Sequence, residues 1–84
     1  MDPQVKVIAE VIQERKNQDR KWGGPEHDDT QAEYDWVCYI GRQAGLIHSE
    51  RDSASSVRSR FIKIAALAVA AVESIDRKGE VDAS

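Results

Sequence analysis

The densest group of side chains able to bind a ligand or react lies between Gln18 and Asp29. This segment, QDRKWGGPEHDD, places a tryptophan, cations, carboxylates and a histidine around a glycine pair. Tryptophan can stack on a nucleobase, lysine and arginine bind phosphate oxygens, and glycine lets a ligand approach the backbone. We therefore predict a functional loop over residues 20–29, with Trp22 stacking on a base and Lys21 binding phosphate. The polar side chains predicted to contact the edges of the base or ribose are Gln18, Asp19 and His27.

The same segment also has a purely structural interpretation. In that interpretation Trp22 closes the bottom of a small core, and Gly23-Gly24-Pro25 forms a turn. The carboxylates of Asp28 and Asp29 then neutralise the positive charge at the start of the following helix. Loops carry binding sites more often than cores do, which favours the ligand-binding interpretation.

A second group of cations is predicted near the start of the last helix. Its members are Arg42 on the preceding helix and Arg51, Arg58, Arg60 and Lys63 at or before the start of the last helix. Positive side chains near a helix amino terminus are unfavourable for the helix dipole, so their presence there favours a function. A helix amino terminus with arginines beside it can bind phosphate or pyrophosphate. The structural alternative is that these arginines pair with Glu50, Asp52 or acids of a partner chain.

Carboxylates provide a second, catalytic hypothesis. Glu73 and Asp76 lie one helical turn apart, and Asp28 and Asp29 are adjacent, so the four could hold Mg²⁺ through carboxylate oxygens. Adjacent residues seldom point to one metal ion, and a cation, Arg77, directly follows Asp76. A helix cap and a charge-paired helix end are therefore the structural alternatives. The binding hypothesis needs neither a metal nor another cofactor.

Three helices are predicted to position these groups. Asp2 caps the first and Pro3 begins it, because proline at the first helical position sacrifices no hydrogen bond. Thr30 and Glu33 form a capping box at the start of the second helix. Gly79 stands where the third helix is expected to end. The predicted segments are a helix over residues 3–19, the loop 20–29, a helix over 30–45, a connector over 46–55, a helix over 56–78 and a tail over 79–84.

The third helix is the most apolar part of the chain. Its segment FIKIAALAVAAV is apolar on nearly all sides, and a helix of that kind is buried on all sides. Two shorter helices cannot surround it, so we expect its remaining face to pack on a second copy. On the second helix, Gly41 is small enough for another helix to approach closely. The predicted fold is an all-α three-helix unit with a long apolar C-terminal helix, packed into a homo-oligomeric bundle, a dimer or higher.

Composition supports this interpretation. The 84 residues, 40% of them hydrophobic, predict one small domain, and their alanine-rich apolar set predicts a thin core that self-association would complete. The single Cys38 excludes an intramolecular disulfide. The net charge of −3 argues against nucleic acid as a partner. Because neither a signal peptide nor a membrane-spanning run is recognised, we expect a cytoplasmic protein without a membrane partner.

Several short motifs of this chain occur together in one known group of proteins. They are Glu14-Arg15, Gln18-Asp19, Lys21-Trp22-Gly23, His27-Asp28-Asp29 and the segment from Ala65 to Arg77. In this combination the chain resembles small phage-encoded proteins described as MazG-like, that is, similar to the all-α nucleoside triphosphate pyrophosphatases. The resemblance spans most of the chain and implies a small helical oligomer with nucleotide sites between subunits. Catalytic members of that superfamily use Glu-x-x-Glu and Glu-x-x-Asp pairs on two helices to hold magnesium and activate water.

The second helix departs from that catalytic pattern. Its sequence WVCYIGRQ has no carboxylate pair, and only Glu73 with Asp76 matches half of the motif. Magnesium chemistry on pyrophosphate needs several converging carboxylates, so the resemblance implies a pocket that binds a nucleotide without cleaving it. Some small phage proteins sequester host immune nucleotide signals in this way, a role that implies the host cytoplasm as the location.

Three functions of different classes follow from these observations. The one that we favour is non-catalytic binding, and with it sequestration, of a nucleotide-derived small molecule that contains phosphate. The second is a divergent magnesium-dependent nucleoside triphosphate pyrophosphohydrolase. The third is a helical protein-interaction module that uses the long helix as its interface and has no ligand.

Overall fold

The protein's structure is a computed structural model that describes the backbone of residues 2–50 and 53–83 and the side chains of residues 2–47 and 53–79. Its elements are four helices: α1 (Pro3–Trp22), α2 (Gly24–Asp28), α3 (Glu33–Glu50) and α4 (Ala54–Ala83). No strand occurs in these ranges, so the predicted all-α class is confirmed. None of the helices in these ranges has both the length and the apolar character needed to cross a membrane.

Helix α1 begins as predicted and ends later than predicted. The Asp2 side chain accepts a hydrogen bond of 2.7 Å from the backbone N–H of Gln4, and Pro3 occupies the first turn. The helix continues through Trp22 because nothing before Gly23 interrupts it, and Gly23 then adopts a left-handed conformation with φ of 109°.

Most of the predicted loop over residues 20–29 is helical. Residues 20–22 form the last turn of α1, and Gly24–Asp28 form the short helix α2. Two consecutive glycines with positive φ, Gly23 at 109° and Gly24 at 70°, allow the chain to change direction within two residues. The predicted loop is therefore replaced by a tight helix–helix turn, and the fold has four helices where three were predicted.

Helix α3 uses a different cap from the predicted one. The Thr30 hydroxyl donates to the backbone carbonyl of His27 at 2.6 Å and so belongs to the end of α2. The side chain of Asp35 instead accepts a hydrogen bond of 2.8 Å from the N–H of Ala32. The capping box of Thr30 with Glu33 is therefore wrong, and the helix starts two to three residues later because Asp35 satisfies the free amide.

Helices α3 and α4 both extend beyond their predicted ends. The predicted connector over residues 46–55 is helical at 46–50 and again from Ala54, whereas residues 51–52 lie outside the described ranges. The predicted tail over 79–84 is helical through Ala83, and residue 84 lies outside the described ranges. Glycine ends a helix when it takes positive φ, and only Gly23 and Gly24 do so among the described residues. Gly45 and Gly79 keep helical φ and therefore do not end a helix.

Helix α1 lies along α4 in the same direction. Arg58, near the start of α4, pairs with Glu10, and Glu73, further along α4, pairs with Arg15. At 30 residues α4 is about 45 Å long, so it provides the surface on which the other helices pack.

Helix α3 lies along α4 in the opposite direction. Arg60 donates to Gln43 in α3 at 2.6 Å, and Lys78 donates at 2.6 Å to the backbone carbonyl of Gln31, just before α3. In the described part of the chain α1 and α3 do not pack on each other: α3 packs on α4, whereas α1 packs on α4 and α2. A gap therefore remains between α1 and α3.

The interior of this arrangement is small. Its buried apolar side chains are Trp36, Ala66 and Ala70, and its buried polar side chains are Arg15, Asp28 and Ser74. Trp36 is 6% exposed and is the only large apolar side chain buried among the described residues. The thin core expected from the alanine-rich composition is therefore what the structure has.

Candidate functional site

A cleft of about 350 Å³ lies between α1 and α3. Side chains of α4 form its floor, and α2 closes one end. Five of the eight residues predicted to bind a ligand line this cleft: Gln18, Lys21, Trp22, His27 and Arg42. Residues separated by more than twenty positions in sequence thus face one space.

The two tryptophans have opposite surroundings, because Trp22 is exposed and Trp36 is buried. Trp22 is 55% exposed, and its ring stacks with the His27 ring at a centroid distance of 6.3 Å and an interplanar angle of 23°. Lys21 Nζ lies 5.1 Å from the centre of the Trp22 ring, a cation–π contact. The buried Trp36 meets Tyr39 edge to face at 6.0 Å. Trp36 therefore closes the core, and the structural interpretation that assigned this role to Trp22 is wrong.

The cleft is more positive than the chain as a whole. Four cations line it, Arg15, Lys21, Arg42 and Lys63, against two carboxylates, Glu14 and Asp28. Among the described residues neither Arg42 nor Lys63 has an ion-pair partner, so both side chains are available to an anion. A cleft with this balance, in a chain of net charge −3, attracts negatively charged ligands locally.

Arg15 organises the closed end of the cleft. It is 9% exposed, and its guanidinium lies 3.0 Å from Asp19, 3.3 Å from Glu73 and 3.6 Å from Asp28. Burial opposes its charge, but the hydrogen bonds to Asp19 and Glu73 outweigh burial and raise the pKa of Arg15 above its ordinary value. One buried cation therefore joins α1, α2 and α4.

Sequence reasoning assigned no role to Arg15. A signal was available, because the residue follows Val11 and Ile12 by four and three positions and so continues the apolar stripe of α1. A charged side chain on such a stripe must be paired when it is buried. Lys63 belongs to the predicted second group of cations but was not among the predicted ligand-binding residues, because its place on the floor of the cleft depends on how α4 packs. Arg51 of that group lies outside the described ranges.

Asp28 and Asp29 are adjacent but have different surroundings. Asp28 is buried, its Oδ2 has no hydrogen-bond partner among the described residues, and burial raises its pKa. Asp29 accepts hydrogen bonds from Arg77 at 2.8 Å and from the Ser74 hydroxyl at 3.1 Å, and the bond to Arg77 lowers its pKa. Both carboxylates hold α2 against the rest of the fold, so their predicted role at the start of α3 is wrong.

The four carboxylates of the magnesium hypothesis do not form one centre. Asp28 and Glu73 pair with Arg15, Asp29 pairs with Arg77, and Asp76 lies exposed on α4. Across the residues that the structure describes, no three side chains of histidine, cysteine, aspartate or glutamate are placed together to hold a metal ion. Arg15 and Arg77 therefore already neutralise three of these four carboxylates.

Three of the predicted binding residues lie outside the lining of the cleft. Asp19 pairs with Arg15. Arg58 donates two hydrogen bonds to the Glu10 carboxylate, the first at 2.9 Å, so the pairing alternative applies to it with a partner that the sequence did not indicate. Arg60 donates to Gln43, which does line the cleft. Arg58 and Arg60 therefore do not join Trp22 around one ligand within a single chain.

The fold and the cleft together define an all-α protein with a small cleft between its helices. Comparison of the chain with protein-family models, with curated proteins and with solved structures finds no match in any of the three. Membership of a MazG-like family accordingly stays a prediction, and the function is inferred from the cleft itself.

Proposed function

We propose that this protein binds a nucleotide-derived small molecule that contains phosphate, and that it binds this molecule without cleaving it. The observation that carries the proposal is an exposed aromatic ring, Trp22, at a cleft that also presents two cations, Arg42 and Lys63, without an ion-pair partner in the described part of the chain. Nucleotides combine a flat aromatic base with phosphate anions, and these two kinds of group complement them. The cleft volume of about 350 Å³ falls within the range of small-molecule sites.

In the proposed complex each part of the ligand has a partner. The base stacks on the exposed face of Trp22, and the phosphates contact Lys21, Arg42 and Lys63. Gln18 lines the cleft, and its buried amide oxygen accepts no hydrogen bond from the described residues, so an N–H group of a base that reached it would complement it. Arg58 is not part of this site, because Glu10 already holds it.

We propose binding without catalysis because the carboxylates that could hold a metal ion pair with arginines instead. Hydrolysis of a pyrophosphate needs metal ions held by converging carboxylates, whereas Asp28, Asp29 and Glu73 pair with arginines. The resemblance to MazG-like proteins suggests the biological setting: a phage-encoded protein that sequesters an immune signalling nucleotide in the host cytoplasm. That setting is part of the proposal and rests on the resemblance alone.

We also propose that the protein works as a homo-oligomer. Large apolar side chains remain exposed on all three long helices, among them Ile12, Val37 and Phe61. Exposed apolar side chains that adjoin one another are typical of surfaces that bind another protein. The third hypothesis, an interaction module without a ligand, shares this surface and differs only in having an empty cleft.

Calorimetric titration with nucleoside triphosphates, cyclic nucleotides and inorganic pyrophosphate tests the ligand proposal. We expect one of the nucleotides to bind, and Trp22→Ala to weaken its binding by about 5- to 150-fold, the usual value of one stacking contact. Tyr34→Ala is the matched control, because Tyr34 is also exposed but does not line the cleft. Arg42→Ala should weaken binding by roughly tenfold or more, whereas Arg58→Ala should not change it.

Three other results would each contradict a different part of the proposal. Release of pyrophosphate or phosphate in the presence of Mg²⁺ would show an enzyme. Equal losses from Arg42→Ala and Arg58→Ala would place the ligand outside the cleft. Failure of every nucleotide to bind would favour the interaction module.

A further inference from the structure

We propose that a second copy of this chain covers the side of the helices opposite the cleft, so that the oligomer presents its clefts on the outside. This surface, which we call the back face, consists of Ile8, Ile12, Val37, Phe61, Ala68 and Val72. The inference specifies the surface of the proposed self-association and does not depend on the proposed ligand.

The back face is placed by helix geometry. Successive residues of an α-helix are rotated by about 100°, so residues two positions apart point to nearly opposite sides. Phe61 is two positions from Lys63, and both Ala68 and Val72 are two positions from Ala70, where Lys63 and Ala70 line the cleft. These three side chains of α4 therefore point away from the cleft.

The other two long helices follow the same rule. Ile12 is two positions from the cleft residue Glu14, and Val37 is two positions from the cleft residue Tyr39. Ile8 lies one helical turn before Ile12 and shares its face. All three long helices thus present apolar side chains on one side of the molecule and line the cleft on the other.

The amount of exposed surface matches what a second copy would cover. The chain exposes 6040 Å², whereas a compact monomer of its mass, 9.4 kDa, exposes roughly 5,000 Å². The excess of roughly 1,000 Å² is comparable to the ~800 Å² that each partner buries in a standard interface. On the back face, Phe61 is 58% exposed and Val72 is 57% exposed.

The chemistry of the back face fits a copy of itself. None of its six residues is charged, and the charged residues one turn away on the same helix faces, Lys16, Glu33 and Asp76, include both signs, so a two-fold contact can pair opposite charges. Beside Val37 on α3, the open space around Gly41 would admit a side chain or helix of the partner, because a Cβ added there meets nothing within 4 Å. The small Ala68 on α4 likewise allows two copies of that helix to approach closely.

Self-association through the back face would leave each binding site within a single chain. The resemblance to MazG-like proteins implies nucleotide sites between subunits. With the back face buried, the residues Lys21, Trp22 and Arg42 of each chain form a site of their own, and no residue of the partner enters it. Loss of the oligomer should then leave ligand binding by the cleft intact.

Sedimentation equilibrium of three variants tests the inference. Phe61→Glu and Val72→Glu place a charge on the back face, and each should weaken self-association by on the order of 100-fold or more. Trp22→Glu is the matched control, because it places the same charge at a similarly exposed aromatic position on the cleft side. We expect Trp22→Glu to associate as the wild type does. Circular dichroism should show equal helix content, because Phe61 and Val72 are exposed in the single chain.

A cross-linking measurement gives an independent readout. Ala68→Cys in a Cys38→Ser background should form a disulfide-linked dimer, whereas Asn17→Cys in the same background should not, since Asn17 lines the cleft. A monomeric wild type would overturn both the self-association and the back face. A wild-type oligomer that Trp22→Glu disrupts and Phe61→Glu does not would overturn the back face alone and place the interface at the cleft.

Discussion

At the scale of single residues, two adjacent carboxylates give the protein opposite responses to acid. Burial raises the pKa of Asp28, so its folded form takes up a proton more readily than its unfolded form does. The hydrogen bond from Arg77 lowers the pKa of Asp29, so its folded form releases a proton more readily. Both shifts are measured from the same ordinary value of 3.8.

The free energy of unfolding should show this difference. For Asp28, stability relative to Asp28→Asn should increase as the pH falls from neutral towards 3.8, because protonation relieves the buried charge. For Asp29, stability relative to Asp29→Asn should be constant above that pH and should be lost as the pH falls below 3.8. Urea denaturation between about pH 3 and pH 7 measures both. Parallel curves for the two variants would contradict the structure.

At the scale of elements, two glycines affect their helices differently because their backbone conformations differ. Gly23 ends α1 with φ of 109°, and a Cβ added there would lie 3.4 Å from the Cβ of His27. Gly79 lies inside α4 with open space around the position of a Cβ. The first glycine is therefore required by the turn, whereas nothing that the structure describes requires the second.

Alanine at these two positions should have effects of opposite sign. Gly23→Ala should destabilise the fold by about 1–2 kcal/mol, because a side chain is strained at positive φ. Gly79→Ala should stabilise it by about 0.5–1 kcal/mol, because alanine favours a helix more than glycine does. Chemical denaturation at one protein concentration measures both changes. A destabilising Gly79→Ala would indicate that the helix does not continue through this position.

The helix starts and ends show which features of the fold can be predicted from local sequence. The Asp2-Pro3 start and the stop at Gly23 were predicted within a few residues, because each depends on groups within one turn. The ends at Gly45 and Gly79 were predicted wrongly, because glycine permits a left-handed conformation without requiring it. Which glycines adopt that conformation is decided by the neighbours of each helix end.

At the scale of the whole molecule, three helices form one layer with a cleft on one side and apolar side chains on the other. A layer of this kind leaves half of its apolar surface without cover. If a second copy supplies the cover, the stability of the fold is linked to protein concentration.

The midpoint of thermal unfolding should therefore depend on concentration. We expect the wild-type midpoint to rise by a few degrees for each tenfold increase in protein concentration, because association stabilises the folded chain. For Phe61→Glu the midpoint should be nearly independent of concentration, because the back face no longer associates. Differential scanning calorimetry over two decades of concentration measures both. A wild-type midpoint that does not move would show that the single chain folds without a partner.

The sequence by itself determined the all-helical class and the start of the first helix, and it predicted as one group Lys21, Trp22 and His27, which line the cleft. These features follow from local spacing, since helix periodicity and capping act over three to four residues. Tertiary structure decided which side chains meet: Arg15 with Asp28 and Glu73, Arg58 with Glu10, and Lys63 with the cleft. These contacts depend on the direction and position of α1 and α3 against α4. No local pattern specifies that packing, so the binding cleft became visible only in the folded chain.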